Sequence, residues 1–330
     1  MNKTPLHYII LLTAIVSLQA CLSDKVTTSD AINTHHYSTK VLKAADISND
    51  GTYSLISDNN QVCLWNNHTN KKAYPCLTGL EAQFIELLGI SSSQRYFYTS
   101  NRVNVHWYDL DSGRLITVWS AGDNIINDIA ISADDSSLIF GFRSGQVSIA
   151  TTTTNKINTF QIHELDINSV SLSSNGALAL SGSSDKQAKI WHTDNGEIMH
   201  NFSHQSRVNH VSLSADGSKA FTLDAIQDHY FWQVSKGQKL AKLQSNIRFI
   251  AFNDSTFSLD NTLLFSASAK QKSQAWRASD GKLIAQWQAF KDEKRYRSSV
   301  LKIAQINLTE VATITSDGVY QIWSLSAVDI

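Results

Sequence analysis

The sequence predicts an all-β protein made of seven similar repeats, and three observations point to this fold class. Six tryptophans each close a short alternating stretch, and their separations are 42, 84, 41, 44 and 47 residues. Upstream of each marker, another alternating stretch leads into Ser, Asn, Asp and Gly turn residues. Helical periodicity is missing, and the only proline beyond the first twenty residues is Pro75. We expect Pro75 in an exposed fourth strand, because proline cannot donate to a sheet ladder.

The tryptophan markers set the length of the repeat. The interval of 84 residues spans two periods, and Ala150 stands halfway, where another tryptophan would be expected. The chain therefore holds seven copies of a repeat of about forty-two residues, a length typical of propellers and solenoids. The markers are Trp65, Trp107, Trp191, Trp232, Trp276 and Trp323.

Each repeat holds four alternating stretches, and the last repeat lacks its fourth. Around Trp191 the stretches read VSLSSNG, ALALSGS, QAKIW and IMHNF, separated by polar turns. This pattern predicts one four-stranded antiparallel sheet per repeat. Only SLSAVDI follows Trp323, whereas residues 31–38 (AINTHHYS) align with EIMHNFSH. We predict that residues 31–38 supply the missing outer strand and close the ring.

The chain resembles the WD-repeat β-propeller family over residues 32–330. In that family a repeat runs from a histidine, through a small polar pair and an aspartate, to the tryptophan of the third strand. The matching residues are His163, Ser181, Ser183, Asp185 and Trp191 in one repeat, then His204, Thr222, Asp224 and Trp232 in the next. The resemblance implies a seven-bladed β-propeller of four-stranded antiparallel blades. It also implies that Asp185 and a neighbouring serine hydrogen-bond His163 and Trp191.

Two patterns that suggest chemistry are better explained by structure. Ser183 and Lys186 have the S-x-x-K spacing of serine acylases, but here it falls in a turn between strands, and the accompanying K-T-G strand is missing. The histidines of HNFSHQSRVNH have no shared face unless they lie on a helix. We therefore predict no catalytic residue, no metal site and no cofactor.

The first twenty residues have the character of an export signal. Tyr8–Leu18 is an apolar run of eleven residues, too short to span a bilayer. The run ends in LQAC, which resembles the bacterial lipobox and implies cleavage before Cys21 and acylation of Cys21. The alternative is an ordinary secretory signal with an incidental cysteine. Since Leu22 rather than Asp follows Cys21, the resemblance favours an outer-membrane lipoprotein facing the periplasm, with residues 21–31 as its tether.

Charge and fold together indicate the class of function. The chain has 28 Lys+Arg and 29 Asp+Glu, which gives no electrostatic reason to expect a nucleic-acid partner. We predict a monomeric, non-catalytic scaffold that binds other envelope proteins. It is similar in fold and location to the propeller lipoprotein that helps assemble outer-membrane barrels. The alternative is a propeller enzyme resembling the quinoprotein dehydrogenases, whose tryptophan-docking repeat is faintly similar to the segments before Trp119 and Trp287.

Two further features carry predictions. Cys63 and Cys76 fall opposite each other if a hairpin is centred near Thr69–Asn70, so they form either a disulfide or two buried thiols. The long loop KDEKRYR, residues 291–297, joins two repeats. Arg295, Tyr296 and Arg297 have the residue types that anchor interfaces, and this loop is either a recognition patch or a solvated loop.

Overall fold

A computed structural model of the 330-residue chain describes residues 26–38, 40–79, 84–226, 228–245, 251–290 and 298–326. Twenty-eight strands in these ranges form seven four-stranded antiparallel sheets. Within the same ranges, a short 3₁₀ helix, Val234–Lys236, lies between β20 and β21 in the chain.

The sheets are numbered as blades in chain order. Blade 1 consists of β2 (Ala44–Ile47), β3 (Tyr53–Ser57), β4 (Val62–Asn66) and β5 (Lys71–Lys72). Blade 2 consists of β6 (Leu87–Ile90), β7 (Tyr96–Ser100), β8 (Asn104–Asp109) and β9 (Leu115–Ser120). Blade 3 consists of β10 (Ile126–Ile131), β11 (Ser137–Phe142), β12 (Gln146–Thr151) and β13 (Ile157–Gln161). Blades 4 and 5 consist of β14 (Ile167–Leu172), β15 (Leu178–Ser183), β16 (Gln187–His192) and β17 (Ile198–Ser203); and β18 (Val208–Leu213), β19 (Lys219–Asp224), β20 (His229–Gln233) and β21 (Gln238–Lys242). Blades 6 and 7 consist of β22 (Phe252–Phe257), β23 (Leu263–Ser268), β24 (Lys272–Arg277) and β25 (Leu283–Gln288); and β26 (Val300–Asn307), β27 (Glu310–Thr315), β28 (Val319–Ser324) and β1 (Asn33–His36).

The first strand of each blade lines the centre of the molecule. Each of these inner strands contacts the inner strand of the next blade, and β26 of blade 7 contacts β2 of blade 1. The seven sheets therefore form a closed ring, a seven-bladed β-propeller. The predicted fold class is confirmed.

The ring is closed by the N-terminal strand, as the sequence predicts. β1 pairs antiparallel with β28, with Asn33 opposite Ile322 and His36 opposite Val319. Tyr37 continues the pairing through its N–H, which donates to the Gly318 carbonyl. Blade 7 thus combines one strand from the start of the chain with three from its end.

The alternation of turns gives the disc two distinct faces. The turns after the first and third strands, such as 173–177 and 193–197 in blade 4, lie on what we call the hairpin face. The turn after the second strand and the loop to the next blade, such as 184–186 and 204–207, lie on the opposite, junction face. Every fourth strand consequently runs from the hairpin face toward the junction face.

The hydrophobic core lies between neighbouring blades. Trp191 of blade 4, which is fully buried, belongs to the same apolar cluster as Ile139 and Val147 of blade 3. Gly182 permits a similarly close approach on the other side, because a Cβ there would meet Val208 of blade 5 at 2.6 Å. Blade-to-blade packing of this kind explains why the alternating stretches recur once per sheet.

Blade 1 departs from the predicted pattern. Its fourth strand comprises only Lys71–Lys72, and the chain bends at residues 73–75 before Leu77 makes an isolated bridge to Val62. Pro75 therefore lies in a bend, and its predicted place in the fourth strand is wrong. Because of the bend, Pro75, which has no N–H donor, does not take part in the strand pairing.

Candidate functional site

The most complete hydrogen-bonded network of the repeat is in blade 4. His163 lies before β14, and its ring nitrogens lie 2.9 Å from Asp185 Oδ2 and 2.8 Å from Ser181 Oγ. The indole N–H of Trp191 donates to the same serine oxygen at 3.2 Å. The histidine and serine are fully buried, so these bonds satisfy polar groups that water cannot reach.

The serine that joins histidine to tryptophan is Ser181 rather than Ser183. Ser183 is also buried, but its hydroxyl donates to the Leu165 carbonyl at 3.0 Å and accepts the Asp185 N–H at 3.1 Å. Ser183 and Lys186 thus end up in a tight turn, with Lys186 at a positive φ of 69°.

An indole–hydroxyl bond recurs in three other blades. In each, the tryptophan N–H donates to a hydroxyl ten residues earlier in the sequence, at 2.8 to 3.0 Å. The pairs are Trp232 with Thr222, Trp276 with Ser266, and Trp323 with Thr313. In blades 6 and 7 the sequence could have predicted this bond, because a Ser or Thr stands ten residues before the marker tryptophan.

Blade 5 places its matching residues together but bonds them differently. His204, Asp224 and Asp228 are all buried, and one ligand atom of each lies within 4.8 Å of the others. Asp224 uses its two oxygens to accept the N–H groups of Ser206, Ile226 and Asp228. Among the described residues, neither ring nitrogen of His204 makes a hydrogen bond to a side chain. The carboxylate of Asp224 therefore caps a turn instead of holding the histidine.

A cavity of about 650 Å³ lies at the centre of the ring and forms its central channel. Residues of all seven inner strands line it. Besides Tyr98, five acidic or basic side chains line it, and sequence reasoning placed none of them in a channel: Asp46, Asp128, His210, Asp254 and Lys302.

Lys302 joins two carboxylates across the channel. Its Nζ lies 3.2 Å from Asp46 Oδ1 and 3.3 Å from Asp254 Oδ1. Burial alone would lower the pKa of the Lys302 ammonium, but the carboxylates of Asp254 and Asp46 outweigh it and raise that pKa above its ordinary value. The channel therefore holds a buried triad of Lys302, Asp46 and Asp254 that links blades 1, 6 and 7.

The same carboxylates also bind the backbone of the following blade. Asp46 accepts the Ile90 N–H at 2.7 Å. Asp128 accepts the Val170 N–H at 2.8 Å, and Asp254 accepts the Ile303 N–H at 3.0 Å. Asparagines at three of the inner-strand bulges add the reverse bond, from side-chain amide to the next blade's carbonyl: Asn127 to Ile167, Asn168 to Val208, and Asn253 to Val300.

Two channel groups have strongly shifted pKa values. Burial raises the pKa of Asp128 to about 6, although the hydrogen bonds from the backbone of Val170 and Ile129 oppose the shift. Burial lowers the pKa of His210 to about 4, and its Nε2 lies 2.9 Å from Ser255 Oγ. At neutral pH the channel thus presents a neutral imidazole beside this triad. The polar side chains of the channel bond one blade to the next, so their role is to stabilise the ring.

The other sequence-predicted positions are placed as follows. Cys63 and Cys76 are joined by a disulfide, with their Cα atoms 4.4 Å apart. Trp119 and Trp287 are buried in outer strands, where their rings contact Phe140 and Trp323 of the next blade. Both tryptophans therefore join neighbouring blades.

Some predicted features lie outside the described residues. These are the signal segment 1–20, Cys21 with the first residues of the tether, and Arg295, Tyr296 and Arg297. Across the ranges that the structure does describe, no helix has the length and apolar character required to cross a bilayer.

Comparison with known proteins supports the repeat assignment. Residues 154–192 match the model of the WD40 family, described as WD domain, G-beta repeat. The matched segment contains the whole blade 4 network from His163 to Trp191. A search of the curated proteins gives no significant match.

Proposed function

Because the chain is a WD-repeat β-propeller, we propose that it is a non-catalytic protein-interaction scaffold of the bacterial cell envelope. Propellers of this kind generally mediate contacts between proteins. The observation that carries the proposal is the match of the family model to blade 4, within a closed ring of seven such blades. The buried polar groups of blade 4 and of the channel are committed to bonds within and between blades, which leaves recognition to the surface.

The partner surface in this proposal is the junction face. Phe84 is 69% exposed and Leu165 is 52% exposed, and both lie in loops that join blades on this face. The loop of Arg295, Tyr296 and Arg297 also joins two blades, since it follows β25 and precedes β26. Exposed apolar side chains together with Tyr and Arg supply the contact area and directional donors that anchor protein interfaces.

A lipid on Cys21 would hold the scaffold on a membrane. The motif LQAC and the apolar run before it support processing after residue 20. Leu22 supports sorting to the outer membrane, where the propeller would face the periplasm. Two or more acyl chains anchor a protein stably, at about 0.8 kcal/mol for each buried CH₂.

The experiment that tests the anchor is the Cys21→Ala substitution in the full chain. We expect release from the membrane fraction or accumulation of the unprocessed precursor, read by fractionation and intact mass. Ser23→Ala is the matched control and should behave as wild type. A wild-type protein of mature mass without acyl groups would contradict the anchor.

Crosslinking in intact envelopes tests the partner surface. Arg295, Tyr296 and Arg297 are replaced together by alanine, and we expect at least one crosslinked partner to disappear. A control variant replaces three exposed residues of a hairpin-face turn, Asp194, Asn195 and Glu197, by alanine. If the triple variant keeps every crosslink of the wild type, the proposal that these three residues bind a partner is wrong.

A further inference from the structure

The first described residues of the tether lie against the outer edge of blade 6. Thr27 pairs with Ala285 of β25 in a parallel bridge. The Thr27 N–H donates to the Ile284 carbonyl at 2.9 Å, and the Gln286 N–H donates to the Thr27 carbonyl at 2.9 Å. The tether therefore covers part of a sheet edge that would otherwise be open.

A second contact keeps the same register two residues further along. The Trp287 indole N–H donates to Ser29 Oγ at 3.2 Å, so residues 27 and 29 lie beside residues 285 and 287 in order. Ala31 then packs against the apolar cluster that contains Trp287. The tether is held by backbone, side-chain and apolar contacts before it enters β1.

The parallel direction decides from which face the tether arrives. β25 is a fourth strand and runs from the hairpin face toward the junction face. Because residues 27–29 run the same way, the chain that precedes them comes from the hairpin-face side. Val26 lies five positions after Cys21, and five residues of extended chain reach at most about 18 Å.

The hairpin face carries two unusual leucines near this point. Leu259, in the turn between β22 and β23, is 61% exposed, and Leu308, in the turn between β26 and β27, is 78% exposed. The turn of Leu259 is bonded to the end of β26, two residues before the turn of Leu308, since the Leu259 N–H donates to Gln305 Oε1 at 2.8 Å. The corresponding turns of blades 1 to 5 hold Ser, Asn, Asp, Gly, Ala, Gln, Arg and Thr. Blades 6 and 7 thus combine the tether with the exposed leucines.

We propose that the hairpin face of blades 6 and 7 rests on a lipid bilayer, with Leu259 and Leu308 in its interface. The short tether and its direction bring this part of the disc close to the lipid anchor. Leucine side chains are stabilised when they move from water into the interfacial region of a bilayer. The junction face then points away from the membrane toward soluble or membrane-borne partners. This inference rests on the proposed lipid anchor, and its test separates the two.

The test places one fluorophore on each face of blade 6. Ser279→Cys lies in the hairpin-face turn before β25, and Ala269→Cys lies in the junction-face turn before β24; both positions are exposed. The chain starts at Leu22 behind a His tag and is held on vesicles of phosphatidylethanolamine and phosphatidylglycerol with a nickel-chelating lipid. A headgroup nitroxide lipid is the quencher. Orientation is thereby measured without native acylation.

We expect quenching at position 279 to exceed that at position 269 by at least threefold. A six-residue strand separates the two faces by about 20 Å, which is beyond efficient contact quenching for the far face. Equal quenching, or stronger quenching at position 269, would overturn the orientation. The Cys21→Ala fractionation tests the anchor separately, so the two ideas can fail independently.

Two variants test the tether contact and the exposed leucines separately. Thr27→Pro removes the N–H that donates to Ile284, and we expect the contrast between the faces to fall by half or more, whereas Thr27→Ala retains it. Leu259→Ser with Leu308→Ser should lower quenching at position 279 at least twofold. Leu165→Ser, on the junction face, is the matched control. If the double leucine variant quenches like the control, the leucines do not contact the bilayer.

Discussion

At the scale of single residues, four of the six marker tryptophans satisfy a buried indole N–H with a hydroxyl acceptor, whereas the indole N–H of Trp65 is buried without a partner among the described residues. Trp191 and Trp232 find this acceptor in Ser181 and Thr222 of the neighbouring strand. Blade 4 alone, among the described blades, adds a histidine that contacts both the hydroxyl and the turn aspartate. The histidine is therefore an addition to a simpler indole–hydroxyl pair, and its contribution can be measured against that of His204.

The pair His163 and His204 gives an internal comparison. Phenylalanine keeps a planar aromatic ring, somewhat larger than imidazole, but removes the polar nitrogens. His163→Phe leaves Asp185 and Ser181 short of partners, so we expect the free energy of unfolding to fall by about 3 kcal/mol. His204→Phe removes no hydrogen bond to a side chain, so we expect a loss of about 1 kcal/mol or less. Urea denaturation of both variants measures the difference. Equal losses would mean that His204 is bonded like His163.

His210 in the channel predicts a pH dependence of stability. Its pKa in the folded protein is about 4, whereas 6.5 is the ordinary value. Between pH 6.5 and 4, His210 is therefore protonated in the unfolded chain but not in the folded protein. The free energy of unfolding consequently decreases as the pH falls from 6.5 toward 4. The difference corresponds to at most about 3 kcal/mol.

The variant His210→Gln should remove this part of the pH dependence. Burial is the main cause of the lowered pKa, Lys302 acts in the same direction, and Asp254 opposes both. Thermal unfolding between pH 4 and pH 7 is compared for wild type, His210→Gln and the exposed control His68→Gln. We expect a shallower pH profile for His210→Gln alone. Profiles that coincide for all three proteins would show that His210 does not titrate differently on folding.

At the scale of elements, strand alternation and turn composition were enough to place most strands. The period located the seven sheets, and the alignment of residues 31–38 located β1 in the last blade. Blade 1 was misjudged at its fourth strand, because alternation does not show that Pro75 breaks the ladder. The channel charges were missed because inner strands bulge just before Asp128, His210, Asp254 and Lys302. A bulge changes which side chains face the centre, and its register appears only in three dimensions.

The disulfide of blade 1 is the prediction that belongs to a single element. The bridge Val62–Leu77 sets the register in which Cys63 lies opposite Cys76, after the bend at residues 73–75. The crosslink compensates for a fourth strand of only two residues by tying the following segment to β4. In the chain-entropy account, closing so short a loop adds about 3 kcal/mol to stability.

Thiol labelling of the denatured, unreduced mature protein checks the bond. We expect no label on Cys63 or Cys76, and full labelling of both after reduction. Reduction should also lower the midpoint of thermal unfolding, whereas the variant Cys63→Ala with Cys76→Ala should not respond to reductant. Two reactive cysteines in the unreduced sample would show that the thiols are free.

At the scale of the whole molecule, the ring depends on contacts that pass from each blade to the next. Carboxylates and asparagines of the inner strands bond the backbone of the following blade, and the apolar clusters lie across the same junctions. Lys302 continues this series over the point where blade 7 meets blade 1, by pairing with Asp46. On the outside of blade 7, closure depends on β1, which comes from the other end of the chain.

Removing β1 should open the edge of blade 7. A chain that starts at residue 39 loses the pairing with β28 and the contacts of Tyr37 with Trp65 and Tyr320. About four lost backbone bonds, at about 1 kcal/mol each, predict a loss of about 4 kcal/mol. The uncovered β28 edge should also pair between molecules, because unpaired N–H and C=O groups template strand addition. A chain that starts at residue 32 is the control and should stay monomeric.

A synthetic peptide can supply the missing strand in trans. The peptide AINTHHYS, residues 31–38, should restore the midpoint of thermal unfolding of the shortened chain and suppress its association, measured by light scattering after size exclusion. A peptide with proline in place of His35 should be much weaker, because His35 lies opposite Tyr320 in the ladder and proline cannot donate to it. Restoration by both peptides alike would mean that side-chain contacts, rather than strand pairing, close the ring. An unchanged shortened chain without any peptide would show that closure by β1 contributes little to the fold.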